Sequence, residues 1–250
     1  KPYRDELFVS TKAGYDMWPG PYGNWGSRKS LMASLDQSLV RMGLDYVDVF
    51  YSHRYDPETP LEETMQALVD IVRQGKALYV GLSRYPADQA EEAYRYLEAR
   101  DVHCLLYQGR YNLFDRAPEE EGILGQARAY GVGFIAFSPL AQGLLTSRYL
   151  QGVPEDSRMA QGRFLKREVL TEAVLEKIKA LDRVAAERGQ TLAEMSLAWV
   201  LKDELVTSVI IGASSVAQLE DNLKALRKVD FSREELDRIE AICHTPDGGQ

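Results

Sequence analysis

Six short apolar runs punctuate the chain, and each hands over to a polar or small residue at its C-terminal end. The runs are Leu7–Thr11, Tyr46–Ser52, Ala77–Leu82, Val102–Tyr107, Gly133–Phe137 and Ser208–Ile211. Near-continuous apolar content marks strands buried on both faces of a parallel sheet. Between and after them lie segments of helical period: Ser27–Met42, Leu61–Gln74, Ala87–Ala99, Glu119–Tyr130, Thr171–Arg188, Leu192–Lys202, Val216–Leu226 and Arg233–Ile242. The first opens on a capping Ser and places Leu31, Leu35, Leu39 and Met42 on one face; Gly75 and Gly131 close two others. Alternating strands and helices leave two architectures, an open doubly wound sheet or a closed barrel. The strand ends decide between them. They deliver Lys12, His53, Ser83-Arg84, Gln108, Phe137-Ser138 and Gly212-Ala213-Ser214-Ser215. A barrel builds its site from many strand ends, whereas a doubly wound sheet concentrates it at one switch point behind a Gly-rich turn that is absent here.

The expected fold is therefore α/β, a (β/α)8 TIM barrel, with residues 1–250 as a single domain. Only six of the eight units are found, so the chain is read as carrying strands three to eight, N-terminally incomplete. The parent is expected to be longer by ~70–100 residues. One connection, Ser138–Leu170, is long enough to read as a functional lid. The balance of 30 basic against 38 acidic residues, net −8, argues against nucleic acid or an acidic membrane surface as partner. Cys104 and Cys243 are too few for a metal cluster or a disulfide framework, so no metal is expected. No apolar run reaches the ~18 residues of a membrane span, and a cytoplasmic protein is the default.

The motifs FVSTKAG around Lys12, LVRMGLDYVDVFYSHR ending at His53 and Arg54, and YVGLSRY around Ser83 resemble the aldo-keto reductases. So do QGRYNLF from Gln108, FSPLAQGLLTSRY from Phe137 and IIGASSVAQLEDN ending at Asn222. Within that superfamily, KAGYDMWPGPYG and GVPEDSRM look most like bacterial L-glyceraldehyde 3-phosphate reductases, near the voltage-gated potassium channel β-subunits. The resemblance implies NADPH-dependent reduction of small aldehydes, such as L-glyceraldehyde 3-phosphate or methylglyoxal-like carbonyls. It also implies a homo-oligomer, a tetramer or larger. The alternative is an NADP(H)-binding regulatory subunit like the channel β-subunits, which typically have Asn where this chain has His53.

Such chemistry needs a hydride donor against the carbonyl carbon and an acid for the oxygen. The resemblance makes Lys12 the cation that tunes a phenolic acid and His53 the group that holds the carbonyl. The family's Asp and proton-donating Tyr sit on a strand before Lys12, and none of the 14 tyrosines here follows that pattern. Tyr15 and Tyr51 lie near motif positions without matching it. The 250 residues alone are accordingly expected to be inactive.

On the cofactor side, Ser83, Arg84 and Gln108 stand at strand ends suited to a nicotinamide carboxamide, and Phe137 offers a face to its ring. By resemblance, Ser138, Pro139, Leu140, Ala141 and Gln142 wrap a pyrophosphate, with Arg148 and Arg158 as anionic anchors; Arg163, Lys166 and Arg167 are read as solvated charges. Gly212, Ala213, Ser214 and Ser215 open a helix whose free N–H groups suit a phosphate ester, the place where the family holds the 2′-phosphate. Gln218, Asp221 and Asn222 follow on a face open to adenine. For substrate, Trp18 either walls the pocket or packs on the barrel rim. Arg54 either pairs with Asp48 or Asp56 or anchors a phosphorylated substrate.

Overall fold

The computed structural model describes residues 2–150 and 167–244. The chain divides into two compact units, Lys1–Gly109 with Glu119–Ile135, and Arg110–Pro118 with Ala136–Gln250.

β1 (Ser10–Ala13), β2 (Val47–Ser52), β3 (Ala77–Ser83) and β4 (Cys104–Arg110), which lies in the first unit up to Gly109, run parallel. Their registers pair Lys12 with Tyr51, Tyr51 with Gly81, and Ser83 with Gln108, so the chemically useful ends stand level. Helices α1 (Arg28–Met42), α2 (Leu61–Arg73) and α3 (Ala87–Glu98) fill the crossovers. Ser27 caps α1 by accepting from Ser30 N–H, and Gly43 ends it at φ 63°. Leu31, Leu35 and Leu39 are buried as the spacing requires, whereas Met42 is exposed. Between the strands Val49, Tyr51 and Leu106 form a core cluster with Leu105 and Ile135 packed on it.

The first strand is displaced from the reading Leu7–Thr11. Leu7 and Phe8 are exposed, Arg4–Glu6 forms a 3-10 turn, and the ladder starts at Ser10. Asp48 explains the shift. Its carboxylate takes the Val9 N–H at 2.7 Å and pairs with Arg4 at 2.9 Å, while its own N–H donates to Val9 O at 2.8 Å. The helix read over Glu119–Tyr130 is two pieces, α4 (Ala117–Glu120) and α5 (Ile123–Ala129), because Gly122 adopts φ 74° between them.

The second unit takes the end of β5 (Gly133–Phe137) and β6 (Ser208–Ile210) with α6 (Glu172–Glu187), α7 (Leu192–Val200), α8 (Val216–Leu223) and α9 (Arg233–Cys243). Capping boxes Thr191/Glu194 and Ser232/Glu235 start α7 and α9. Tyr111, Tyr149, Ile178, Leu181 and Trp199 are buried in it. Of the long Ser138–Leu170 connection, Leu144, Leu145 and Tyr149 are buried, so its first part is core and not an overhanging flap. Residues 151–166 lie outside the described residues.

Hydrogen-bonded strands follow the order β1-β2-β3-β4-β5-β6. A doubly wound sheet reverses its strand order at a switch point, and none occurs here. Parallel strands advancing in chain order are six consecutive units of a partial (β/α)8 barrel fold. Among the described residues no helix is long and apolar enough to cross a membrane.

Candidate active site

Lys12 stands one residue before the end of β1. Its Nζ donates to Gln108 Oε1 at 2.5 Å and lies 5.5 Å from the Tyr51 ring centroid. Burial, and then the Arg84 guanidinium, hold its pKa below the usual lysine value. Tyr51 is buried in the core cluster and its phenol is pushed well up by that burial, which removes it as a proton donor near neutrality.

His53 is the first residue past β2, and its N–H donates to Ala13 O at 2.9 Å. Burial comes first, and the charges of Lys12, Arg84 and Arg54 follow, in lowering its pKa to about 4. The imidazole is therefore neutral at physiological pH. An NMR titration of His53 should find its midpoint near pH 4. Because an unfolded His protonates near 6.5, acidification through that window favours the unfolded state, so stability declines from about pH 6.5 to 4. His53→Gln should flatten that decline in urea melts. A midpoint near 6.5 would contradict the burial and the cation cluster together.

The ring of Tyr15 meets His53 edge-on, with centroids 4.6 Å apart and planes at 77°. Arg84 Nη1 donates to Tyr15 Oη at 3.1 Å, and Arg84 itself sits at φ 53°, a strained backbone for a residue with a side chain. Arg84 also lines a cleft of about 670 Å³ with Tyr85, Pro86, Asp88, Tyr107 and Glu121.

Arg54 serves the loop after β1. Nε donates to Gly14 O at 2.7 Å, Nη2 to Asn24 Oδ1 at 2.9 Å, and the guanidinium lies 4.1 Å from Tyr15 and 3.6 Å from Trp25. The expected pairings with Asp48 or Asp56 do not form: Asp48 holds Arg4, and Asp56 accepts from Gly26 and Glu58 N–H. Trp18 is half-buried in the same loop, where a Cβ on Gly23 would lie 1.9 Å from Trp18 O. Glycine is the residue that fits there.

In the second unit, Ser138, Ala141 and Gln142 all have positive φ, at 53°, 46° and 59°. Three non-glycine left-handed residues in five mark a segment bent for a purpose beyond connection. Asn112 Nδ2 supports it by donating to Ser138 O at 3.0 Å. Pro139 is buried, Leu140 is half-buried, and the Phe137 ring is half-buried before them. Arg148 is exposed, and Arg158 lies outside the described residues. Gly212, Ala213, Ser214 and Ser215 are exposed ahead of α8, where Ser215 Oγ accepts from Gln218 N–H at 3.2 Å. Gln218 Oε1 folds back to accept from Ser214 N–H at 2.7 Å, and Asp221 pairs with Lys224 at 2.6 Å. Asn222 is buried with its Nδ2 unpartnered among the described residues. An orphaned amide donor in the last turn of a helix that starts on exposed hydroxyls is a donor set suited to a nucleotide that brings both a phosphate and ring acceptors.

The aldo/keto reductase family model matches residues 1–244. The chain belongs to this family. It is 54% identical over 250 residues to L-glyceraldehyde 3-phosphate reductase of Escherichia coli O157:H7, a match covering 98% of this chain and 72% of that protein. The corresponding protein of Escherichia coli strain K12 is 53% identical with the same coverage. A probable voltage-gated potassium channel subunit beta of Oryza sativa subsp. japonica is 38% identical, covering 97% of this chain and 75% of its own length. Family membership and the reductase relatives assign the chain to an oxidoreductase of the aldehyde-reducing class.

The structure thus gathers Lys12, His53, Arg84 and Gln108 in one place and adds Tyr15, Asn24 and Trp25, which motif matching passes over. The signal for these three is an aromatic-rich loop directly after a strand end, facing arginines two residues past β2 and one residue past β3.

Proposed function

We propose that the chain carries the carbonyl-orienting and cofactor-holding residues of an NADPH-dependent reductase of small aldehydes, with L-glyceraldehyde 3-phosphate and methylglyoxal-like dicarbonyls as substrate class. The observation that carries this reading is His53, kept neutral at a strand end among Lys12, Arg84 and Arg54. A neutral imidazole donates one hydrogen bond to a carbonyl oxygen without surrendering its proton. Three cations around it favour a substrate bearing a phosphate or an anionic neighbour.

NADPH supplies the hydride when bound. Ser83 and the amide nitrogen of Gln108 are the groups suited to its carboxamide, and Phe137 to its ring. Ser138–Gln142 and Arg148 would serve the pyrophosphate, Gly212–Ser215 the 2′-phosphate, and Asn222 the adenine. Lys12, positively charged beside the reacting oxygen, lowers the pKa of a phenol placed next to it. None of the 14 tyrosines in these 250 residues matches the family pattern for that phenol, so we place the acid on a strand preceding Lys12.

The test is NADPH oxidation with L-glyceraldehyde 3-phosphate and methylglyoxal, alongside melting with and without NADPH. The 250 residues alone should melt higher with NADPH yet show no turnover. The same chain behind a strand bearing the family's Asp and Tyr should turn over. Activity of the 250 residues alone would overturn the placement of the acid, and absence of any melting shift would overturn the cofactor assignment.

A further inference from the structure

Among the described residues, no hydrogen bond reaches the His53 ring; its backbone is fixed on Ala13 O, and the imidazole meets the Tyr15 ring in a T-shaped contact. A ring left without hydrogen bonds keeps both nitrogens for a substrate, and packing alone must then hold its plane. Tyr15 is itself held from two sides. The Arg54 guanidinium lies 4.1 Å from its ring, and Arg84 Nη1 donates to its hydroxyl at 3.1 Å. Gly14 lets this happen: its φ of 144° turns the chain out of β1, and a Cβ there would lie 3.2 Å from His53 Cβ. That approach is tighter than most side-chain carbons make, and the φ of 144° strains any residue with a side chain.

We propose that Tyr15 is a positioning residue for carbonyl reduction, its ring edge setting the plane of the His53 imidazole while its hydroxyl anchors the Arg84 guanidinium beside that imidazole. One phenol thereby couples the group that orients the carbonyl to the cation past β3. The inference rests on the reductase reading, yet its geometry is accessible without turnover. The charged groups facing His53 are Lys12 from β1, Arg54 from its own strand end and Arg84 from β3. Removing the phenolic acceptor takes away one of the contacts that hold the Arg84 charge near His53.

Two substitutions separate the parts. Tyr15→Phe keeps the ring edge and removes the acceptor; Tyr15→Leu removes both. In the 250-residue chain, Tyr15→Phe should raise the His53 NMR midpoint by roughly half a unit, through loss of a nearby like charge. In the protein that turns over, the acid limb of kcat/KM should move up by the same amount. Tyr15→Leu should show the same midpoint rise and also lower kcat by about tenfold, since a misplaced positioning group costs one to two orders of magnitude. Tyr15→Phe restoring kcat relative to Tyr15→Leu is the signature of the ring edge. An unmoved His53 midpoint in Tyr15→Phe overturns the proposal, as does a Tyr15→Leu protein with parental kcat. Should Tyr15→Leu not fold, the Tyr15→Phe midpoint decides alone. Absence of turnover in every protein, parent included, would count against the reductase reading, while the NMR result would still stand or fall by itself.

Discussion

Replacing Lys12 by methionine in the catalytically complete protein lowers kcat for aldehyde reduction by about 10²–10⁴-fold, the span that general acid catalysis commands, while NADPH still binds. Lys12 is paired in register with Tyr51 on β2, so its backbone cannot drift, and its Nζ is drawn across to Gln108 Oε1 at 2.5 Å. Methionine has nearly the same volume and no charge, so packing against Tyr51 survives and the cation alone is removed. Without it, a neighbouring phenol returns toward its ordinary pKa and loses its readiness to give up a proton. Single-turnover kinetics with pre-bound NADPH isolate that step from cofactor binding, which fluorescence titration follows separately. Gln108 loses its donor in this variant, and any disturbance there would appear as weaker NADPH binding. A fall in kcat below tenfold would exclude Lys12 from tuning the acid.

The second large effect concerns the sheet itself. Gly81→Ala should destabilise the protein by about 3 kcal/mol, and Gly81→Val should prevent folding. A Cβ at position 81 would lie 2.4 Å from two atoms of the Tyr51 ring and 3.0 Å from Leu106 O. Neither neighbour has room to yield: Tyr51 is 2% exposed, and Leu106 O belongs to the adjacent strand. The ring cannot turn away without emptying the cluster it shares with Val49 and Leu106. Gly125→Ala in α5, where nothing lies within 4 Å of the added carbon, is the matched control. There, alanine should be neutral or stabilising by about 0.5–1 kcal/mol, because glycine is the costlier helix residue. Urea midpoints at constant slope read both. Equal midpoints for the two alanine variants would show that the Tyr51 ring has freedom the packing denies it.

How legible were these features in the residues alone? The strand ends were legible because parallel strands buried on both faces leave a long apolar run, and the first polar residue after it is forced to the rim. That rule located Lys12, His53, Ser83 and Gln108. The start of β1 was not legible, because Leu7 and Phe8 continue the apolar run while Asp48, distant in sequence, takes the Val9 N–H by its side chain. The break at Gly122 was hidden for a related reason: a glycine inside a helical period reads as tolerated until its φ of 74° is seen. Arg54 illustrates a third limit. Sequence offers it carboxylates at Asp48 and Asp56, and only the fold reveals that both are engaged and that two aromatic faces sandwich it instead. Tyr15 follows from the same cause, since an edge contact with His53 depends on a turn that leaves no spacing signature.

The monotonic strand order bears on how such a molecule comes into being. Within β1 to β4 the paired residues lie 39, 30 and 25 positions apart, as Ser10 with Val49, Val49 with Tyr79, and Gly81 with Leu106. From β1 to β4 each strand finds its neighbour after closing one modest loop, whereas β6 reaches β5 only after the longer excursion from Phe137 to Ser208. Folding can then propagate by accretion, one β/α unit docking on the last. During synthesis on the ribosome, each newly emerged strand meets a template already made.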